Sequence, residues 1–210
     1  NEIFGLIGPN GAGKTSTLRT VATLLQITGG SITVYGMDVE KEADQVRRII
    51  SYLPEDAGAY RNLTGREYLR FMARFFCDRG QLDQMVQKGM SITDLGARID
   101  DKVETYSKGM MRRLMIGRAL MSGPRLAIMD EPTSGLDVLN AQEIRGLIRE
   151  TADRGTAVLL SSHNMLEVEF LCDRIALIND GVIVESGRPA DMMDRYGARN
   201  IEEVFTQVVS

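Results

Sequence analysis

The 210-residue sequence predicts an α/β fold, a mostly parallel sheet covered by helices and interrupted by a helical insert. Three observations predict it. Apolar strand-like runs alternate with amphipathic helix-like stretches, the pattern of parallel strands joined by crossover helices. The strand-like runs vanish between residues 64 and 121, where helical spacing takes over. A glycine-rich loop occupies residues 8–15, between the first strand-like run and the first helix-like one.

The elements follow in order. Ile3-Phe4-Gly5-Leu6-Ile7 is an apolar run of strand length, and residues 17–25 carry apolar side chains at helical spacing. Gly29-Gly30 breaks that helix, residues 31–35 alternate as a strand does, and Gly36 ends them. Residues 40–48 form a short surface helix with Ala43 and Val46 on its inner side, and residues 49–53 are strand-like up to Pro54. In the helical insert, Leu69, Met72, Ala73 and Phe76 fall on one helical face. Gly80 then interrupts before a helix over 82–90. A longer helix over 108–121 buries Met111, Leu114, Met115 and Leu120. The strand texture returns at 126–129, a helix covers 139–154, and a strand over 157–161 runs into Ser162-His163. Residues 174–179 and 182–185 flank Asp180-Gly181, a hairpin signature, and helices over 189–196 and 201–209 close the chain. The expected organisation is one domain over 1–210, with a core of 1–63 and 122–210 and a helical subdomain over about 64–121.

Composition narrows the class. Hydrophobic residues make up 43% and charged ones 26%, ordinary for a globular domain with a sizeable core. A net charge of −4 gives no general attraction to nucleic acid. No apolar run approaches bilayer-spanning length, and no secretory signal is read at the start. Cys77 and Cys172 lack metal-type spacing and are expected to be free thiols in a reducing cytoplasm.

The loop carries the chemistry. Gly8-Pro9-Asn10-Gly11-Ala12-Gly13-Lys14-Thr15 is G-x-x-x-x-G-K-T, the phosphate-binding loop of P-loop NTPases, in its required setting of strand, loop and helix. Its glycines let backbone N–H groups approach an anion, and the following helix N-terminus adds partial positive charge. Lys14 is a mobile cation for the β- and γ-phosphates, Thr15 offers a hydroxyl to Mg²⁺, and Ser16 joins the phosphate-binding set. A chance glycine-rich turn would not come with both flanks correct. Asp130 ends an apolar strand where this kind of fold places its Mg²⁺-binding aspartate. Glu131, next along, is placed to take a proton from an attacking water.

Tyr106-Ser107-Lys108-Gly109-Met110 precedes the long helix, Asp130-Glu131-Pro132-Thr133 leads into Ser134-Gly135-Leu136-Asp137, and Ser162-His163 follows downstream. With the P-loop, these stretches resemble the ATP-binding cassette (ABC) ATPase family over nearly the whole chain. The resemblance implies a signature motif at Ser107, Lys108 and Gly109, a D-loop ending at Asp137 and a switch histidine at His163. Ser107 would cap its helix and leave N–H groups for an anion. A neutral His163 could donate one hydrogen bond to the γ-phosphate and accept another from its surroundings. Glu55 stands where most of the family has glutamine; it can serve Mg²⁺ or water but lacks the amide donor. The family normally carries an N-terminal β segment with an adenine-stacking aromatic, and the expectation is that this segment is missing from the chain.

The resemblance further implies ATP and Mg²⁺ as ligands and a homodimer, or a pair of such subunits, with two ATPs at its interface. It implies a separate transmembrane permease as partner, and hence a cytoplasmic protein peripheral to the inner face of the cell membrane. Leu53-Pro54-Glu55-Asp56, the Tyr-Ser-Lys-Gly-Met stretch and Asn200-Ile201-Glu202-Glu203-Val204-Phe205 are similar to a branch that drives exporters of drugs, sodium, lipids or polysaccharides. The permease would dock around residues 55–64, with Tyr60 and Leu63 as apolar contacts or as core. The alternative is a non-transport ABC ATPase associated with ribosomes or DNA. The interval between P-loop and signature has no sustained heptads of the DNA-repair type, and the chain carries one cassette where the ribosomal type carries two.

Overall fold

A computed structural model describes residues 2–210. Asn1, the first residue of the expected core, lies outside them. Among the described residues, six strands form one sheet in the order β4-β5-β6-β1-β7-β8. They are β1 (Ile3–Ile7), β4 (Ile50–Leu53), β5 (Leu126–Met129), β6 (Ala157–Ser162), β7 (Arg174–Asn179) and β8 (Val182–Gly187). The first five are parallel; only β8 runs antiparallel, joined to β7 by a hairpin through Asp180-Gly181. Parallel strands covered on both faces need near-continuous apolar runs, which is what β1, β5 and β7 carry.

The helices are α1 (Lys14–Val21), α2 (Ala43–Ile49), α3 (Gly65–Ala73), α4 (Leu82–Thr93), α5 (Lys108–Leu120), α6 (Val138–Asp153), α7 (Met165–Leu171), α8 (Pro189–Tyr196) and α9 (Ile201–Val209). Between β4 and β5 the regular elements are all helices, joined by loops and one isolated bridge between Thr64 and Lys102. Thr64 starts α3 with a reciprocal capping box, its hydroxyl accepting from the Glu67 N–H while the Glu67 carboxylate accepts from the Thr64 N–H. Leu69 and Ala73 of α3, Val86 of α4 and Leu114, Met115 and Leu120 of α5 are buried in one apolar cluster with Ile3, Ile7 and Met129 of the sheet. The helical stretch therefore packs on the sheet through shared apolar surface.

Four local expectations change. The first helix ends at Val21, short of residue 25, because Thr23 turns left-handed at φ 62° and leaves Leu24 and Leu25 exposed. Phe76 lies beyond the end of α3 and is 52% exposed, so it does not extend the Leu69–Ala73 face. The expected strand over 31–35 narrows to β2 (Thr33–Val34), which pairs with β3 (Met37–Asp38) in a hairpin apart from the main sheet. Tyr35 and Gly36 both have positive φ, the geometry of a tight two-residue turn. No element was expected between His163 and Arg174, yet α7 forms there, capped by Asn164, whose side chain accepts from the Glu167 N–H.

Because β1, β5 and β6 are parallel neighbours, their carboxyl ends meet at one edge. The register pairs Met129 with Leu160 and Ile7 with Ser162. The segments that follow, residues 8–15, Asp130-Glu131 and His163, are brought together there, where ligands bind in open α/β sheets.

Candidate functional site

The loop after β1 is shaped by its glycines. Gly11 and Gly13 have φ of 82° and 102°, a region that L side chains avoid. At Gly8 an added Cβ would collide with the carbonyl oxygen of Ile178 in β7. The loop is tied down on both sides: the Gly8 N–H donates to Ser162 O at 3.3 Å, and the Gly181 N–H of the β7–β8 turn donates to Ala12 O at 3.0 Å. It borders a cavity of about 300 Å³ lined by Asn10, Gly11, Gly13, Lys14, Thr15, Ser16, Glu55 and Glu131.

Inside this frame the charged groups are mutually engaged. The buried Lys14 Nζ donates to Gly8 O at 2.8 Å and Pro9 O at 3.1 Å, and lies 3.4 Å from Glu131 Oε1. The other Glu131 oxygen, Oε2, is 2.8 Å from His163 Nδ1. A carboxylate only accepts, so Nδ1 carries the proton, and a neutral ring then presents Nε2 as an acceptor. The expected donation from His163 to a phosphate therefore requires a second ring proton or release from Glu131. Glu131 is also left-handed, at φ 47°, a conformation that costs a non-glycine residue about 1–3 kcal/mol and concentrates at functional sites.

Asp130 is buried and hydrogen-bonded throughout. Its Oδ1 accepts from Ser161 Oγ at 2.6 Å and Thr15 Oγ1 at 3.2 Å, and its Oδ2 accepts from the Tyr52 hydroxyl at 3.4 Å. Burial raises the pKa of the Tyr52 phenol above its ordinary value, which keeps it a donor, although the neighbouring Arg19 pulls the other way. Mg²⁺ takes hard oxygen ligands and usually needs only one or two protein carboxylates, with waters and substrate phosphates completing its shell. Thr15 lines the cavity and supplies such a donor, Glu55 faces the same cavity, and Asp130 lies behind it, accepting from the Thr15 hydroxyl. Among the described residues no three His, Cys, Asp or Glu side chains gather as a cage for a metal.

Glu55 joins several parts. Its Oε1 accepts from the Ser134 hydroxyl at 2.9 Å, and its carbonyl accepts from Arg112 Nη2 of α5 at 2.9 Å. Arg112 is buried, and that burial lowers the pKa of its guanidinium, opposed by the nearby Glu55, Asp56 and Asp130 carboxylates. Arg118 of the same helix donates to Tyr52 O at 3.2 Å. Two arginines of α5 thus hold backbone carbonyls at the end of β4.

Ser107, Lys108, Gly109 and Asp137 do not line the cavity. Ser107 caps α5, its hydroxyl accepting from the Met110 N–H at 3.2 Å. Asp137 caps α6, accepting from the Asn140 N–H at 2.9 Å and from Asn140 Nδ2 at 2.6 Å. At Gly109 an added Cβ would collide with Asn140 Oδ1, so this glycine lets α5 and α6 approach. Leu63 packs against the main core, whereas Tyr60 is 56% exposed. Tyr60 begins an edge-to-face run to Phe71 and on to Phe75, each step 5.5 Å between centroids.

Sequence reasoning missed Ser161, Tyr52 and Arg112. Their only signal was a polar residue inside or beside an apolar run, which does not identify its partner.

A family profile described as ABC transporter matches residues 1–134. Over 201 residues the chain is 38% identical to the linearmycin resistance ATP-binding protein LnrL of Bacillus subtilis (strain 168), covering 95% of this chain and 65% of LnrL. It is 37% identical over 212 residues to ABC transporter A family member 7 of Arabidopsis thaliana, covering 100% of this chain and 22% of that protein. The chain thus spans less than two thirds of the length of these relatives. A solved structure described as the ATP binding subunit of an ABC transporter superposes with a TM-score of 0.85 at 28% identity, covering all of this chain and 88% of that one.

Proposed function

This chain belongs to the ABC transporter family, and we propose that it binds and hydrolyses ATP to power export of a substrate through a separate membrane permease. One observation carries the catalytic part: a P-loop lysine and a histidine hold the two oxygens of one strained, buried glutamate beside a cavity lined by the loop.

The chain's own groups supply the chemistry. Backbone N–H groups of residues 10–15 and the α1 N-terminus receive the phosphates of ATP. Lys14 moves its charge onto them and releases Glu131 Oε1. Glu131 then takes a proton from water as the oxygen attacks the γ-phosphorus, and ADP leaves with the β–γ bridging oxygen. His163 keeps Glu131 oriented through Oε2. Mg²⁺, when bound, neutralises phosphate charge, with Thr15 and Asp130 as its protein ligands and Glu55 as a further candidate.

Ser107, Lys108 and Gly109 lie outside their own cavity, which supports their acting on the nucleotide of a second copy. Two protomers would then enclose two ATPs, and hydrolysis would release the contact. No helix among the described residues is long and apolar enough to cross a membrane, and this reading assigns the crossing to the permease. The exposed aromatic run beside the Glu55 segment is a docking surface for it, and Arg112 joins that segment to the signature helix. The resistance named for LnrL supports outward transport.

The test is phosphate release. Glu131→Gln is expected to keep ATP binding and lose turnover by at least about a hundredfold, the scale of general-base removal. Undiminished release would contradict the assignment, and co-purification with ribosomes or DNA in place of a membrane protein would contradict transport.

A further inference from the structure

We infer that Ser161 is a positioning residue that sets the metal-side carboxylate and the general base against each other. The inference rests on the hydrolytic reading above and deepens it. Ser161 is 0% exposed on β6, one strand away from β5. Its hydroxyl does two things at once. It donates to Asp130 Oδ1 at 2.6 Å, and it accepts from the backbone N–H of Glu131 at 3.0 Å. A serine hydroxyl has one proton and free lone pairs, so both bonds can form together.

The second bond matters most. Glu131 sits at φ 47°, which its own side chain disfavours, so something must hold the peptide there. The Ser161 oxygen holds the N–H of that residue. An apolar side chain at 161 would leave this buried N–H without a partner, and buried backbone donors rarely stay so. The peptide would then turn toward negative φ and carry the Glu131 carboxylate away from Lys14 and His163. Asp130 would lose its shortest hydrogen bond but keep Thr15 and Tyr52.

The effect is therefore uneven. The base loses its position, the metal-side carboxylate is loosened, and the phosphate-binding loop is untouched. Ser161 does not line the cavity and need not touch substrate.

The test compares Ser161→Ala, Ser161→Thr and Glu131→Gln in the full-length protein. Ser161→Ala is expected to lower kcat about tenfold, equivalent to about 1.4 kcal/mol, with KM for ATP within about twofold of wild type. The Mg²⁺ concentration for half-maximal binding of a fluorescent ATP analogue should rise about tenfold, as one hydrogen bond to a ligand carboxylate is lost. Ser161→Thr keeps the hydroxyl and is expected to restore both values. Ser161→Cys keeps the volume while weakening both bonds, and stands in should the alanine variant misfold. Wild-type kcat and Mg²⁺ dependence in Ser161→Ala, with only its melting temperature changed, would overturn the inference. An inactive Glu131→Gln beside that result confines the failure to Ser161. A fully active Glu131→Gln would remove the hydrolytic reading and this inference with it.

Discussion

Lys14 Nζ lies 3.4 Å from Glu131 Oε1, and both side chains are buried. The P-loop cation and the proposed base thus satisfy each other. In the proposed reaction a γ-phosphate would compete for the same ammonium, and its arrival would expose the oxygen that takes the proton. Binding and base activation would then be one event, with the base covered until substrate is in place.

Lys14→Ala is expected to weaken nucleotide binding by about a hundredfold or more, since charge-assisted hydrogen bonds contribute about 1.5–3 kcal/mol each. Calorimetry measures it directly. The rise in melting temperature at a fixed ATP concentration should shrink accordingly, because stabilisation by a ligand falls as its dissociation constant rises. Wild-type affinity would remove Lys14 from the site.

Gly109→Ala is expected to force α5 from α6, because the new Cβ collides with an Asn140 side chain that Asp137 holds in place. Overpacking of this kind costs about 1–3 kcal/mol. Adding Asn140→Ala in the same chain should recover most of the loss, since contacting residues couple in a double-mutant cycle. A Gly109→Ala protein with wild-type melting temperature would show that the two helices do not meet at this point.

The two cysteines should behave differently. Burial pushes the Cys172 thiol up to about 12, while Cys77 is only half-buried. A thiol with a folded pKa above its unfolded value stabilises the fold below the unfolded pKa, and that contribution is lost as pH rises through the folded one. The window here runs from about 9 to about 12. Alkylation at pH 8 is expected to modify Cys77 in the folded protein and Cys172 only after unfolding; mass spectrometry distinguishes them. Equal labelling of both would contradict the burial of Cys172.

Much of the fold and the site is written locally. The strand, glycine loop and helix at residues 3–21 announce themselves, as do Asp130-Glu131 at the end of an apolar run and His163 after β6. What could not be read is what neighbouring strands do to each other. Ser161 and Asp130 are 31 positions apart and meet only because β5 and β6 are parallel in one register. The left-handed Glu131 has no mark in a glutamate codon, and α7 is short enough that its cap at Asn164 was the only cue. Phe76 matched a helical period but lies beyond the point where α3 ends. Gly109 was legible only as part of the signature stretch; within one chain its missing side chain leaves room for Asn140.

In the proposed dimer each triphosphate is enclosed by the P-loop of one protomer and the Ser107 helix end of another. Analytical ultracentrifugation of Glu131→Gln with and without Ser107→Arg decides whether it is. Glu131→Gln should sediment as a dimer with Mg²⁺ and ATP and as a monomer without nucleotide, and adding Ser107→Arg should keep it monomeric although ATP still binds. A Glu131→Gln protein that stays monomeric with ATP bound, or a Ser107→Arg double variant that dimerises as readily, would contradict it.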